Sequence, residues 1–592
     1  PTSCGWANKM ALKDFSLQPA DFAVLAIILI ITILMGILPS ILGRKMTNSK
    51  DYITGGNTIH WIPLSLSLLA AFQSATFMLG MPAEIYFYGS QMWISAIGLT
   101  SAIVFCSIVI LPFYYKRRVS SLYEYLEARY ESLVLRKLVS FVYIVQMTLQ
   151  IGVGLYSPCL ALSTVTSMEV ATIAAIAGSV CTIYACIGGL KGIIYSDVFQ
   201  CCVILGGYFT LIGLGIKELP DGISTLWSLS KQGGRLDTFN FNFSIFERHN
   251  FWNLLVGNFF VTIYNCSCSQ VWVQRFNSTP SVRYSQRAFI LGAFGVCFLV
   301  TITVLTGLTI YSVYFVCDPL EAGFIELQDQ ILPYFIYDVL GKYEGVTGLL
   351  LASLLCSSLS TIAGIIHSLA TLVWVDFLRH ICSSRIRTDR GSVIAIKLLA
   401  MMFGIAAILL TFIINKVSSI IELSLKINSV ISGPIISVFL LGLFLPFINA
   451  KGIYIGMLCG YGVTLPIMMV NLLSGTRESP LETNISGCPE SNRTITLLLR
   501  EVEENNRETS GLESYLTISY TLYTVLGSVM TTVMSVIFSF LTGGCLERPA
   551  EHTFVHFCGT DVVDMPQEVE MIAGQSFKTK KLEGVNSSEL PF

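Results

Sequence analysis

Pro63-Leu-Ser-Leu-Ser-Leu-Leu-Ala-Ala-Phe-Gln-Ser-Ala-Thr-Phe-Met-Leu-Gly80-Met-Pro82-Ala-Glu84 is an uncharged run of membrane-crossing length up to its final glutamate. Its middle is not plain hydrocarbon: small residues, hydroxyls and the Gln73 amide stand where a simple span would carry leucine. Such a helix unwinds locally with less cost, because side-chain oxygens and water can satisfy the freed backbone groups. The same composition also suits an unbroken helix packing closely against its neighbours. Spacing alone leaves these two readings level.

The rest of the chain places this run in a membrane protein. Of 592 residues, 53% are hydrophobic and 12% charged, and the mean hydropathy is +0.68. A soluble chain carries roughly a quarter charged residues. Long apolar runs lie near Phe22–Leu42, Ile62–Gly80, Met92–Phe113, Leu138–Leu160, Ala171–Gly188, Val198–Ile216 and Trp252–Ser269. They continue near Ala288–Val313, Gly348–Val373, Ala395–Ile414, Asn428–Phe447, Ile453–Leu473 and Thr517–Leu541. The expected fold is an all-α integral membrane protein with about 13 transmembrane helices. The first run is too long, and Gly43-Arg44-Lys45 too basic a finish, for a cleaved signal peptide. Membrane lipid is therefore an expected partner.

Several function classes drop out. A net charge of -2 gives no basic surface for nucleic acid. The 17 cysteines lie mostly inside apolar runs without CxxC or Cys/His ligand spacing, so no structural metal site is supported and no cofactor is implied. With no nucleophile elbow, P-loop or HExxH motif, the chain is not expected to be an enzyme.

Lys and Arg set the orientation. Alternate loops hold Arg44/Lys45/Lys50, Lys116/Arg117/Arg118, Lys191, Arg275/Arg283/Arg287, Arg379/Arg385/Arg387/Arg390 and Lys451. These loops are read as cytoplasmic, which puts the N-terminus outside and the C-terminus inside. The opposite loops carry the sequons at Asn242, Asn484 and Asn492, expected to be glycosylated; Asn277 falls inside and is not. Cys317 and Cys488 are both expected outside, with no pairing assigned. The expected divisions are an extracellular N-terminus (1–20), a transmembrane domain (21–545), a glycosylated extracellular loop (475–515) and a cytoplasmic tail (546–592). Two sets of five spans, about 60–216 and 250–447, have the spacing of an inverted repeat.

A second polar span carries Ser357, Ser360, Thr361 and Gly364 at i, i+3, i+4 and i+7, one narrow helical face. Hydroxyls and peptide carbonyls are neutral oxygen donors that suit an alkali cation which must later be released. The alternative is a Ser/Thr face bonded to its own preceding turn. Asp197 and Gln200 open the sixth span. A membrane carboxylate is costly unless paired, though Asp197 also reads as a helix N-cap. Glu422 and Lys426 read as a structural i, i+4 pair, His367 as a packing residue, and Glu124 and Glu127 as a solvated face.

Ordered motifs then bring a family into view. They are Asp51-Tyr-Ile-Thr-Gly-Gly56, Leu66-Ser-Leu-Leu-Ala-Ala-Phe-Gln-Ser74, Leu79-Gly-Met-Pro-Ala-Glu-Ile-Tyr86 and Ser121-Leu-Tyr-Glu-Tyr-Leu-Glu127. Beyond them come Ile187-Gly-Gly-Leu-Lys191, Ser196-Asp-Val-Phe-Gln200, Val273-Gln-Arg275, Cys317-Asp-Pro-Leu320, Leu359-Ser-Thr361, Val375-Asp376 and Val430-Ile-Ser-Gly-Pro434. With this order and spacing, residues 20–545 resemble the sodium/solute symporter family, in the branch of the iodide, monocarboxylate and multivitamin symporters.

The resemblance implies a five-plus-five inverted-repeat core, three peripheral helices and alternating access in the plasma membrane. It implies a sodium site from the carbonyls of Ala70, Gln73 and Ser357 and the hydroxyls of Ser360 and Thr361. Ser74, Asp197 and Gln200 would lie in a surrounding layer or a further sodium site. Substrate would lie near Phe72, Phe77, Thr262, Cys266 and Leu425. The iodide member differs at Phe77, Thr262, Cys266 and Leu425, so the expected substrate is a small organic anion, a monocarboxylate or a vitamin such as pantothenate or biotin. A sensor or leak channel on the same scaffold, or an inorganic anion such as iodide, are the alternatives.

Overall fold

In the computed structural model, the described residues are 17–42, 48–117, 120–166, 168–382, 388–414, 420–473, 480–488 and 518–543. The expected tail, Asn492 and most of the 475–515 loop lie outside them.

The helices that build the bundle, numbered in chain order, are α1 (Pro19–Leu42), α2 (Trp61–Phe72), α3 (Ala75–Tyr88), α4 (Ser95–Phe105), α5 (Leu133–Val165), α6 (Val170–Lys217) and α7 (Phe251–Cys268). There follow α8 (Gln270–Phe276), α9 (Val282–Val313), α10 (Val346–Leu372), α11 (Asp389–Ile414), α12 (Ile420–Phe444), α13 (Ala450–Leu473) and α14 (Tyr523–Leu541). Among the described residues ten helices are long and apolar enough to cross a bilayer, and the bent pair α2–α3 makes up to eleven.

Two features bring this count to the one expected. Helix α6 is 48 residues long and breaks at Gly189, where φ is 55° and ψ -163°. Tyr184 and Gly207 would stand about 34 Å apart on a straight helix. Instead the Tyr184 hydroxyl donates to Leu359 O and Gly207 packs on Ser353, six residues apart on α10. The arms therefore fold back on each other as two crossings. The Tyr52 ring closes on Gly189 so tightly that a Cβ there would sit 2.8 Å from it, and the positive φ is one that glycine adopts freely. Helix α7 is the remaining crossing; Asn253, Asn258 and Asn265 lower its hydropathy.

Small residues set how closely the helices approach. Gly188 and Gly192 straddle Gly36 of α1, with Ser40 Oγ donating to Gly188 O at 2.8 Å. On α13, Gly452, Gly456 and Gly460 admit Ser539, Ser535 and Thr531 of α14. A disulfide joins Cys317 to Cys488, tying the loop after α9 to the segment after α13.

Ion pairs mark both ends of the bundle, buried at one and partly exposed at the other. At the basic end, Asp376 accepts from Arg136, Ser121 and Ser140. Glu127 bonds the same Arg136 at 2.7 Å, with Glu124 at 3.6 Å. Glu124 and Glu127, expected as a solvated face, keep 31% and 40% of their side chains exposed while both also reach Arg136; burial raises the Glu124 carboxyl while Arg136 opposes the rise. At the other end, Arg248 clamps both oxygens of Glu84 (2.8 and 3.2 Å) beside His249. Burial pushes the His249 ring down to about 4, against the pull of Glu84.

Candidate functional site: the break between α2 and α3

Helix α2 ends at Phe72 without glycine or proline. Gln73 (φ -79°, ψ 87°) and Ser74 (φ -81°, ψ 159°) leave the helical region, and the chain resumes as α3 at an angle of 60°. Ending a helix leaves its last carbonyls without intrahelical donors, a serious cost where water is scarce. Each is supplied here. Leu69 O accepts from Gln73 N (3.1 Å) and Phe72 O from Ser74 N (3.1 Å). Ala70 O accepts from Ser360 Oγ at 2.8 Å, and Ala71 O from Thr361 Oγ1 at 3.3 Å.

Helix α10 thus caps α2 from the side. Both hydroxyls also reach Ser357 O, at 3.1 and 3.2 Å. Five neutral oxygens gather within one helical turn of α10, at the negative end of the α2 dipole. This is chemistry for a cation held weakly enough to leave. On the other side of the break, Ser74 Oγ accepts from Phe77 N at 3.2 Å and caps α3, whose N-terminus favours negative charge.

The structure brings together Ala70, Ser357, Ser360 and Thr361 and adds Ala71. A carbonyl carries no side-chain signal, so nothing in the residue types could single out Ala71. Gln73 is buried and uses its amide: Nε2 donates to Tyr208 OH at 2.6 Å, and Thr303 donates to the same hydroxyl at 3.3 Å. Ser74 acts as a helix cap.

Asp197 is no N-cap. It lies well inside the second arm of α6, buried, and accepts from Ser67 Oγ (2.6 Å) and Arg275 Nη2 (3.1 Å). Arg275 Nε also donates to Ser67 Oγ at 3.2 Å. A basic loop residue was expected at 275. Instead α8 carries it into the protein against Gly364, where a Cβ would stand 3.1 Å from the guanidinium. A buried carboxylate requires a cation, which is the signal that could have paired the two. Gln200 is buried one turn beyond Asp197.

Phe72 and Phe77 face each other across the break, rings 5.8 Å apart and edge to face. Thr262 and Cys266 are buried one turn apart on α7; Thr262 Oγ1 has no hydrogen-bond partner, and Cys266 lies beside Cys106. These two are not bonded to the oxygen cluster. The Leu425 and Glu422 side chains lie outside the described residues, while Lys426 donates to Asn471 Oδ1 at 2.7 Å. His367 is buried, edge-on to Tyr52 at 5.2 Å.

The model described as "Sodium:solute symporter family" matches residues 52–460. Sodium-coupled monocarboxylate transporter 2 of Danio rerio is 32% identical over 530 residues, covering 89% of this chain and 84% of its own. Sodium-coupled monocarboxylate transporter 1 of Homo sapiens is 30% identical, covering 88% and 87%. A putative sodium-dependent multivitamin transporter of Drosophila melanogaster is 30% identical, covering 86% and 84%. In three dimensions the chain is similar to a Na+-coupled sialic acid symporter in its substrate-bound outward-open state. The TM-score is 0.73 at 20% identity, covering 90% of this chain and 99% of that one, which shows the shared fold.

Two outcomes test this geometry. Ser360→Ala, which strips the donor from Ala70 O, should raise the sodium concentration for half-maximal uptake about tenfold, equivalent to ~1.4 kcal/mol. Thr361→Ser, which keeps the hydroxyl, should change it little. Separately, Asp197→Asn leaves the Arg275 charge buried alone, a loss of about 3–5 kcal/mol. It should lower the melting temperature in detergent more than Asp197→Asn combined with Arg275→Gln.

Proposed function

Because the chain belongs to the sodium:solute symporter family, we propose that it imports a small organic anion with sodium by alternating access. The observation that carries this reading is the capping of the last α2 carbonyls by Ser360 and Thr361 of α10. Those oxygens can be bridged by hydroxyl protons or by an alkali ion. Sodium would join α2 to α10 more firmly than two hydrogen bonds do, and its departure would let them part.

The two ends of the break suit opposite charges. Carbonyls at the end of α2 face the cation, and the capped N-terminus of α3 offers backbone N–H groups to a carboxylate. Sodium and anion binding at one break neutralise each other in a medium of low dielectric, so each favours the other. Phe72 and Phe77 would hold the apolar body of the solute, with Thr262, Cys266 and Leu425 closing the pocket. Small monocarboxylates and vitamin carboxylates fit this pattern. The names of the relatives support an organic anion over iodide.

Arg275 compensates Asp197, so the oxygen cluster has no buried net charge before an ion enters. One sodium with one monoanion would then move no net charge, and a second sodium would move one. Gln200, Asp197 and Ser74 are the residues from which a further sodium site would be drawn. In the membrane we place the N-terminus outside, the C-terminus inside and glycans on Asn242, Asn484 and Asn492. The divisions at 1–20, 21–545, 475–515 and 546–592, with repeats at about 60–216 and 250–447, belong to the same proposal, as does residence in the plasma membrane.

The test is uptake of labelled lactate, pyruvate, pantothenate and biotin into cells expressing the chain. Accumulation of at least one solute in sodium, abolished when choline replaces sodium, is the expected result. Sodium-dependent currents without accumulation of any solute would instead favour the sensor or leak reading.

A further inference from the structure

Between Asp237 and Glu247 the loop reads Thr238-Phe-Asn-Phe-Asn-Phe-Ser-Ile-Phe246, uncharged, with an apolar residue at every second position from 239 to 245. Such a period of two puts alternate side chains on opposite faces of an extended chain. Phe239, Phe241 and Ile245 are exposed, and Phe243 is 83% exposed. A loop in water has no reason to display such a ladder, and contiguous exposed apolar surface marks a contact site.

This strap is fixed. Two of its polar side chains turn back to the protein: Thr238 Oγ1 bonds Ser90 Oγ at 2.7 Å and Asn240 Nδ2 donates to Glu247 at 3.1 Å; the Ser244 carbonyl accepts from Asn250 and Asn253. The backbone is pinned as well, with Phe251 N donating to Asn240 O (2.8 Å) and Ser519 N to Ile245 O (2.9 Å). Ser90 follows the end of α3, Phe251 opens α7, and Ser519 precedes α14. The strap therefore lies at the level where three membrane helices reach the surface.

Its rings run on into a helix face. Phe239 stacks on Phe241 (6.0 Å), Phe241 meets Phe251 (4.9 Å), and Phe243 meets Trp252 (6.4 Å). Trp252 donates its indole N–H to Phe241 O. Below it on α7, Val256 and Phe260 continue a partly exposed stripe at i+4 and i+8. Aromatic rings with satisfied polar atoms, set where a span meets water, are what the boundary of a bilayer accommodates.

We propose that residues 238–246 form an interfacial anchor whose phenylalanines sit in the headgroup and upper acyl region of the outer leaflet. The occupant of the ladder is lipid. Asn242, between Phe241 and Phe243, is exposed as well, and its N–H bonds Asn240 Oδ1. The anchor would hold the end of α3, the outer half of the broken helix, at a fixed depth while α2 and α10 separate and rejoin.

The test uses the full chain in nanodiscs with Phe243→Trp, a ring for a ring at the most exposed position, checked by monodisperse elution. Its fluorescence is compared with the parent in ordinary phosphatidylcholine and in phosphatidylcholine with brominated acyl chains. Loss of most of the added emission in brominated lipid, with protection from aqueous acrylamide, is the expected result. Quenching by acrylamide and not by bromine would put the ring in water and overturn the anchor. Quenching by neither would put it against protein and overturn it equally.

Discussion

A helix that stops inside a membrane protein exposes carbonyls where water is scarce, and they need other donors. Here the supply comes from Ser360 and Thr361 on α10, which donate to Ala70 O and Ala71 O. The remaining terminal carbonyls are met by the chain itself at Gln73 and Ser74. Much else follows from keeping those two helices side by side. Gly207 lets the second arm of α6 press on Ser353 of α10, and Gly364 makes room for Arg275. An oxygen nest made this way carries no formal charge. Neutral oxygens of this kind would hold a cation only moderately, as the proposed carrier requires.

The Asp197–Arg275 pair is the second constraint. It joins α6 to α8 and, through Ser67, to α2 one turn below the nest. A buried ion pair contributes little net stability, but it is expensive to break. It therefore fixes position more than it adds energy. Arg136 with Asp376 repeats the device at one end of the bundle, and Arg248 with Glu84 forms a partly exposed pair at the other. Helices that must slide are thus tied by charge at a few points, and elsewhere they meet through small residues such as Gly36 and Gly188.

How much of this was legible in the chain depends on whether side chains or backbone do the work. The face of Ser357, Ser360 and Thr361 followed from helical periodicity, and the span count followed from hydropathy. The break at Gln73–Ser74 was half legible: the polar composition allowed it, but no glycine or proline marked it. Ala71 could not be found, because a carbonyl has no letter. The capping alternative at Asp197 arises because the apolar run begins after it, whereas the helix arm begins at Gly189; the paired carboxylate, the other reading, is what the fold shows. Arg275 reads as a basic loop residue because charge near a span end usually means water; the need of Asp197 for a cation is the one hint that it turns inward. The family resemblance supplied the carbonyls of Ala70 and Gln73; in the fold Ala70 O accepts from Ser360 Oγ, and the Gln73 side-chain amide bonds Tyr208.

The most direct measurement is a pair of cryo-electron microscopy maps of the full chain, one in sodium and one in choline, resolved well enough to show bound ions. The account requires an ion peak in sodium alone, bounded by Ala70 O, Ser357 O, Ser360 Oγ and Thr361 Oγ1, with α2 ending at Phe72 in both maps. A helix running unbroken through Gln73 and Ser74, or a sodium peak away from those oxygens, would contradict it.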